Sequence, residues 1–195
     1  MIIVFSHTKG GVGKTTSAIG FASALADAGF GVRVLDADPQ ASALTWARIA
    51  TEAGDPLSFD VIPVTAKRID GYRPVTDVTI IDCPPGRATT IDAAIRRADV
   101  VVIPTSPGPA DIDRVFATLE VVPAEKAVVL LTQARLQTRL YRDVRELFAE
   151  QGVPVLETTI PLREGIRSSF GACLKEFFGY DEAAAEVLKM YGDIT

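Results

Sequence analysis

Two cysteines, one histidine and one tryptophan among 195 residues leave little material for a disulfide framework or a sulfur-and-imidazole metal centre. Cys83 and Cys173 stand far apart with no C-x-x-C pairing, the pattern of a reduced protein with buried thiols. Basic charge is not in excess either. Twenty Lys and Arg face 25 Asp and Glu, a net charge of −5, so attraction to a polyanion has to come from a local patch. No apolar run approaches the ~20 residues of a membrane span, and MIIVFSHTKGG carries no basic region before its apolar run and no cleavage site after it. These absences lead to the expectation of a soluble, cytoplasmic protein. With 48% hydrophobic residues the chain has enough apolar surface for one core, and a single domain over residues 1–195 is expected.

What is present is alternation. Short, β-branched apolar runs at 2–6, 32–36, 59–64, 78–82, 100–105, 127–132 and 155–160 are separated by helical patterns near 14–28, 41–50, 87–97, 111–121, 138–151, 164–178 and 181–191. Runs with almost no polar interruption suit strands covered on both faces. The pattern predicts a doubly wound α/β fold: a mostly parallel sheet built from right-handed βαβ units, with helices on both faces.

Between the first strand and the first helix lies TKGGVGKTT, residues 8–16. A phosphate loop reads G-x-x-x-x-G-K-[ST], and counting back from Gly13 puts Thr8 where the first glycine belongs. From Gly13 onward the match is complete, and a second lysine, Lys9, stands inside the loop. Gly10, Gly11 and Gly13 let the backbone turn its N–H groups towards phosphate oxygens, and the helix that opens at Lys14 adds its dipole. The expected nucleotide contacts are Gly10, Gly11, Val12, Gly13, Lys14, Thr15 and Thr16. Lys14 would reach the β and γ phosphates and the Thr15 hydroxyl would ligate Mg²⁺. The dinucleotide pattern G-x-G-x-x-G fails at Thr16.

Two further stretches supply carboxylates. Asp82 ends VTIID and would emerge at the carboxyl edge of the sheet, placed to hold a Mg²⁺-bound water. Asp36 and Asp38 in LDADPQ leave a neighbouring strand at the same edge. Asp38 is assigned to water activation and to the metal, while Asp36 is open to a purely structural role as a cap.

KGGVGKTT, LDADPQ and IIDCPPG together resemble the ParA/MinD group of ATPases with a deviant Walker A motif. Over nearly the whole chain, SALTWA, VVIPTSPGPADID and TTIPLREGIRSSF are similar to small partition ATPases that lack an N-terminal helix-turn-helix. The resemblance implies a homodimer formed on ATP, in which Lys9 crosses to the phosphates bound by the other subunit. Lys9, Lys14 and Asp38 are then the catalytic residues, Thr15, Asp38 and Asp82 serve the metal, and Gln133 and Pro161 lie on the nucleotide's base side. It also implies weak basal ATP hydrolysis stimulated by a ParB-type or other small DNA-binding adaptor. With the loop eight residues into the chain, no operator-reading domain is expected.

Arg135, Arg139, Arg142 and Arg145 recur at helical spacing, within an arc of about 120° on one side of the expected helix, with Asp143 off that side. Arg163, Arg167 and Lys175 follow in a segment where the related partition proteins bind DNA. The expectation is non-specific duplex DNA as partner and a nucleoid-associated location. A membrane-bound relative would end in a basic amphipathic helix, whereas Asp181, Glu182, Glu186 and Asp193 here face the single Lys189. An iron–sulfur carrier would need paired cysteines. Two alternatives remain open: the same ATPase cycle positioning a protein cargo such as a microcompartment or chemoreceptor cluster, and a metabolic enzyme on the same fold.

Overall fold

The computed structural model describes residues 1–86 and 89–192. Strands β1 (Ile2–Phe5), β2 (Val32–Asp36), β3 (Asp60–Pro63), β4 (Val78–Asp82), β5 (Val100–Thr105) and β6 (Ala127–Leu131) alternate with helices α1 (Lys14–Asp27), α2 (Ser42–Glu52), α3 (Ala66–Asp70), α4 (Thr89–Arg97), α5 (Pro109–Leu119) and α6 (Arg139–Glu150). Helices α7 (Glu164–Ser168) and α8 (Tyr180–Tyr191) follow. The sheet order is β3-β2-β4-β1-β5-β6 and every pairing is parallel.

Alternate residues of each strand serve opposite cores. Ile3 and Phe5 of β1, Val34 of β2 and Ile80 of β4 join one cluster with α1, α2 and α8. Ile2, Val4, Leu35 and Ile81 join the other, with residues of α3, α4, α5 and α6. Burial on both sides is the reason the strand sequences show no polar alternation. Strand order reverses beside β1, and the loops leaving β1, β2, β4 and β6 meet at the carboxyl edge, where open α/β sheets place their ligands.

Two expected elements differ and one element was not expected. The apolar run 155–160 is not a strand: it makes only isolated bridges, Val129 to Val155 and, just beyond the run, Ala134 to Pro161. The helix expected over 164–178 stops at Ser168. Gly171 then takes φ 82° against the side chain of Ile49 of α2, and Phe178 and Gly179 both adopt left-handed backbone, so 169–179 is irregular. Helix α3 was not expected. Residues 87 and 88 of the helix expected over 87–97, and Asp193, lie outside the described residues. Cys83 is buried, but Cys173 is only half-buried and lies in the irregular segment.

Candidate nucleotide and metal site

The phosphate loop follows β1 directly. Gly11 (φ 78°) and Gly13 (φ 90°) are left-handed, so the tight turn requires glycine at both. Gly13 is also the N-cap of α1, and Ser17 N–H bonds its carbonyl at 2.8 Å. The loop is braced from the end of β6. Thr132 Oγ1 donates to the Val12 carbonyl at 3.2 Å, and the Gln133 side-chain amide donates to the Gly11 carbonyl at 3.3 Å. Gln133 itself holds a strained φ of 52° at the end of β6.

A cavity of about 500 Å³ opens over this loop, within the range that holds small ligands and cofactors. Its walls include Gly10, Gly11, Gly13, Lys14, Thr15, Thr16, Asp38, Gln133 and Pro161, which brings together nine of the residues singled out for nucleotide, metal or catalysis. Val12 is buried and does not line the cavity, so only its backbone is available to a ligand. The apolar part of its lining includes Trp46, Ile160, Ile166, Phe170 and Tyr180, none of which was singled out. Trp46 Nε1 donates to the Ala172 carbonyl at 2.8 Å, and the Trp46 and Phe170 rings lie 5.2 Å apart.

Lys14 is buried, and its ammonium donates to the Lys9 carbonyl of the same loop at 3.1 Å. Burial lowers its pKa, against the opposing pull of Asp82 and Asp38. Thr15 Oγ1 donates to Asp82 Oδ2 at 2.7 Å, while Asp82 Oδ1, equally buried, has no hydrogen-bond partner among the described residues. Burial pushes the Asp82 carboxyl up to about 7; the Thr15 bond and the Lys14 charge only partly offset it. An unpartnered carboxylate oxygen beside a threonine hydroxyl, at the foot of a phosphate loop, is a donor set that suits a hard divalent cation. The residues present fit a magnesium nucleotide.

Asp36 settles into the structural option. Its two oxygens accept from the Asp38 and Leu44 backbone N–H groups at 3.1 and 3.0 Å, tying the β2–α2 connection to the start of α2. Asp38 faces the cavity, with Oδ1 accepting from Gln40 N–H at 2.9 Å. His7 is fully buried. Its Nδ1 accepts the Lys9 N–H at 2.9 Å, and burial together with the nearby Lys14 lowers its pKa to about 4. Lys9 does not line the cavity. Its ammonium is paired with Asp111 of α5.

The basic residues do not form one stripe. Arg135 precedes α6, in the turn closed by Thr138, so helical spacing does not apply to it. Arg139 pairs with Asp143 at 3.4 Å, although Asp143 was expected off that side. Arg145 donates to the Leu156 and Glu157 carbonyls and to the Glu157 carboxylate at 3.1 Å, spending its charge within the chain. Lys175 lies outside any helix and pairs with Asp55 at 2.9 Å. Arg142, Arg163 and Arg167 are exposed and make no ion pair among the described residues, and the last two sit at the rim of the nucleotide cavity.

An all-parallel sheet, a glycine-turned phosphate loop at the switch point and a threonine bonded to a buried aspartate beneath it define a P-loop ATPase. Residues 3–171 match the model of the CobQ/CobB/MinD/ParA nucleotide binding domain, and the chain belongs to that family. It is 36% identical over 169 residues to the maintenance of carboxysome distribution protein A of Gloeobacter kilaueensis, covering 82% of this chain and 76% of that one. To the chromosome-partitioning ATPase Soj of Thermus thermophilus it is 29% identical over 220 residues, covering 89% and 87%. Among solved structures, apo McdA of Cyanothece superposes with a TM-score of 0.78 at 18% identity, over 96% of this chain and 98% of that one.

Proposed function

We propose that this ATPase dimerises on ATP, binds duplex DNA without sequence preference as a nucleoid-associated cytoplasmic protein, and segregates plasmid or chromosome DNA with an adaptor that stimulates hydrolysis. The observation that carries the reading is the lysine pair: Lys14 buried at the cavity floor, and Lys9 outside the cavity with its side chain 45% exposed. One lysine serves its own nucleotide, and the other, held on Asp111 outside the cavity, is left to serve a neighbour's. A charge supplied from the partner makes association depend on the nucleotide, because two anionic sites would otherwise repel across the interface.

In this reading the loop N–H groups and Lys14 bind the phosphates, and Asp38 orients the attacking water. Thr15, Asp82 and Asp38 would hold the magnesium ion, which when bound neutralises charge on the phosphate oxygens. Gln133 and Pro161 flank the base. Arg142, Arg163 and Arg167 give the DNA contact, with Arg135 in reserve at the same end of the molecule.

The carboxysome-distribution relative favours a second reading, the same cycle positioning a protein cargo. A neighbouring gene for a small DNA-binding adaptor with repeat sites supports partition, whereas a neighbouring shell or array component supports cargo. The chemical core of both is tested by light scattering with a non-hydrolysable ATP analogue. Lys9→Ala is expected to bind nucleotide and stay monomeric, and a Lys9→Ala dimer as stable as wild type would refute the role in trans.

A further inference from the structure

Lys9 is not loose. Its ammonium bonds one carboxylate oxygen of Asp111, and the other oxygen accepts from the Ser106 hydroxyl. Ser106 Oγ also receives the Gly108 N–H at 3.3 Å, so the connection from β5 into α5 is folded around that carboxylate. Gly108 caps α5, Pro109 opens it, and Asp111 sits in its first turn with only 12% of its side chain exposed. The preceding residue is docked on the same helix. Thr8 N–H reaches Thr118 Oγ1 and Thr8 Oγ1 reaches the Arg114 carbonyl, each at 3.4 Å. The first half of the phosphate loop is thus fastened to α5 of its own chain, across more than 100 residues of sequence.

We propose that Asp111 is a positioning residue that holds Lys9 on its own subunit, and that transfer of Lys9 from Asp111 to a second copy of this chain sets the threshold for dimer formation. The inference rests on the reading that Lys9 acts in trans. Its basis is a competition: one ammonium group cannot satisfy Asp111 and a neighbour's phosphates at once, so each subunit gives up an ion pair when it docks. Asp111, mostly covered and left with Ser106 alone, is the group that bears the loss. Partial burial pushes the Asp111 carboxyl up, but the bonds from Lys9 and Ser106 prevail and hold it below the usual carboxylate range, which marks Lys9 as an effective partner. Because Lys9 is nearly half exposed, the hold is modest, enough to delay association and too weak to prevent it.

Sedimentation velocity over a range of protein concentrations with a non-hydrolysable ATP analogue reads the threshold. Asp111→Asn keeps the shape of the side chain and releases the ammonium, and is expected to tighten the dimer roughly two- to tenfold. Ser106→Ala removes the second support of Asp111 and is expected to move the constant the same way by less, which keeps the test alive if Asp111→Asn does not fold. In a Lys9→Arg background, where the cation is retained but its fit to the pocket is altered, the Asp111→Asn gain should change in size, an effect that general loosening of α5 would not give. An unchanged or weaker dimer in Asp111→Asn, with Lys9→Ala monomeric, overturns the positioning role alone. A Lys9→Ala protein that dimerises like wild type overturns the reading beneath it.

Discussion

Lys14 and Asp38 face the same cavity but should fail differently. Lys14→Ala removes a desolvated cation from the phosphate site and is expected to weaken nucleotide binding by roughly 100-fold in a fluorescent-nucleotide titration. Asp38→Ala should leave that affinity nearly intact and lower single-turnover hydrolysis by roughly 10²–10⁴-fold, the range for losing a positioned general base. Equal turnover in Asp38→Ala and wild type would remove Asp38 from the chemistry. A third residue tests packing instead. A Cβ on Gly20 would lie 2.5 Å from the Tyr180 ring, so Gly20→Ala forces α1 and α8 apart and should cost about 1–3 kcal/mol, read as a lower Tm. The phosphate-loop residues were legible from their order alone, because glycine, lysine and threonine at those offsets carry their roles in the backbone turn. Asp111 was not. Its partner lies 102 positions away, and nothing local to SPGPADID distinguishes it from an ordinary acidic residue in a first helical turn.

At the level of elements, periodicity located every strand of the sheet and failed where tertiary contacts took over. The apolar run 155–160 had the composition of a strand, but it lies outside β6 and is held by backbone bridges, by Arg145 and by Glu186, whose carboxylate accepts the Glu157 and Thr158 N–H groups at 2.7 and 3.1 Å. Helix α7 ends early because Gly171 must approach Ile49, which no helical geometry allows at φ 82°. The expected helical spacing holds for Arg139, Arg142 and Arg145 and not for Arg135, which precedes α6, and spacing alone could not show that Arg145 would find its partner, Glu157, in another part of the chain. This separates two arginines three positions apart. Arg145→Ala should lower thermal stability by roughly 1 kcal/mol through the freed 156–157 segment and leave DNA affinity nearly unchanged. Arg142→Ala should leave Tm within error and weaken DNA binding for every sequence alike. The reverse pattern would show that α6 does not face DNA.

For the whole molecule, the loop, Asp38 and the exposed Arg163 and Arg167 line one cavity at the carboxyl edge of the sheet, which puts surface charge beside the nucleotide site. A subunit of net charge −5 has few free cations to hold a polyanion; the proposed dimer would present twice that number, and its second contact would be effectively intramolecular. Among the described residues no helix is long and apolar enough to cross a membrane, and α8 carries Asp181 and Glu182 in its first turn, where an anionic surface would repel it. The most direct measurement is filter binding of random-sequence duplex across a salt series, with a non-hydrolysable ATP analogue and with ADP. The account expects binding only with the ATP analogue, indifferent to sequence, with a log-log salt slope of about −0.9 per phosphate contact that becomes shallower when Arg142, Arg163 and Arg167 are replaced by alanine. Binding equally tight with ADP, or confined to one sequence, would contradict it.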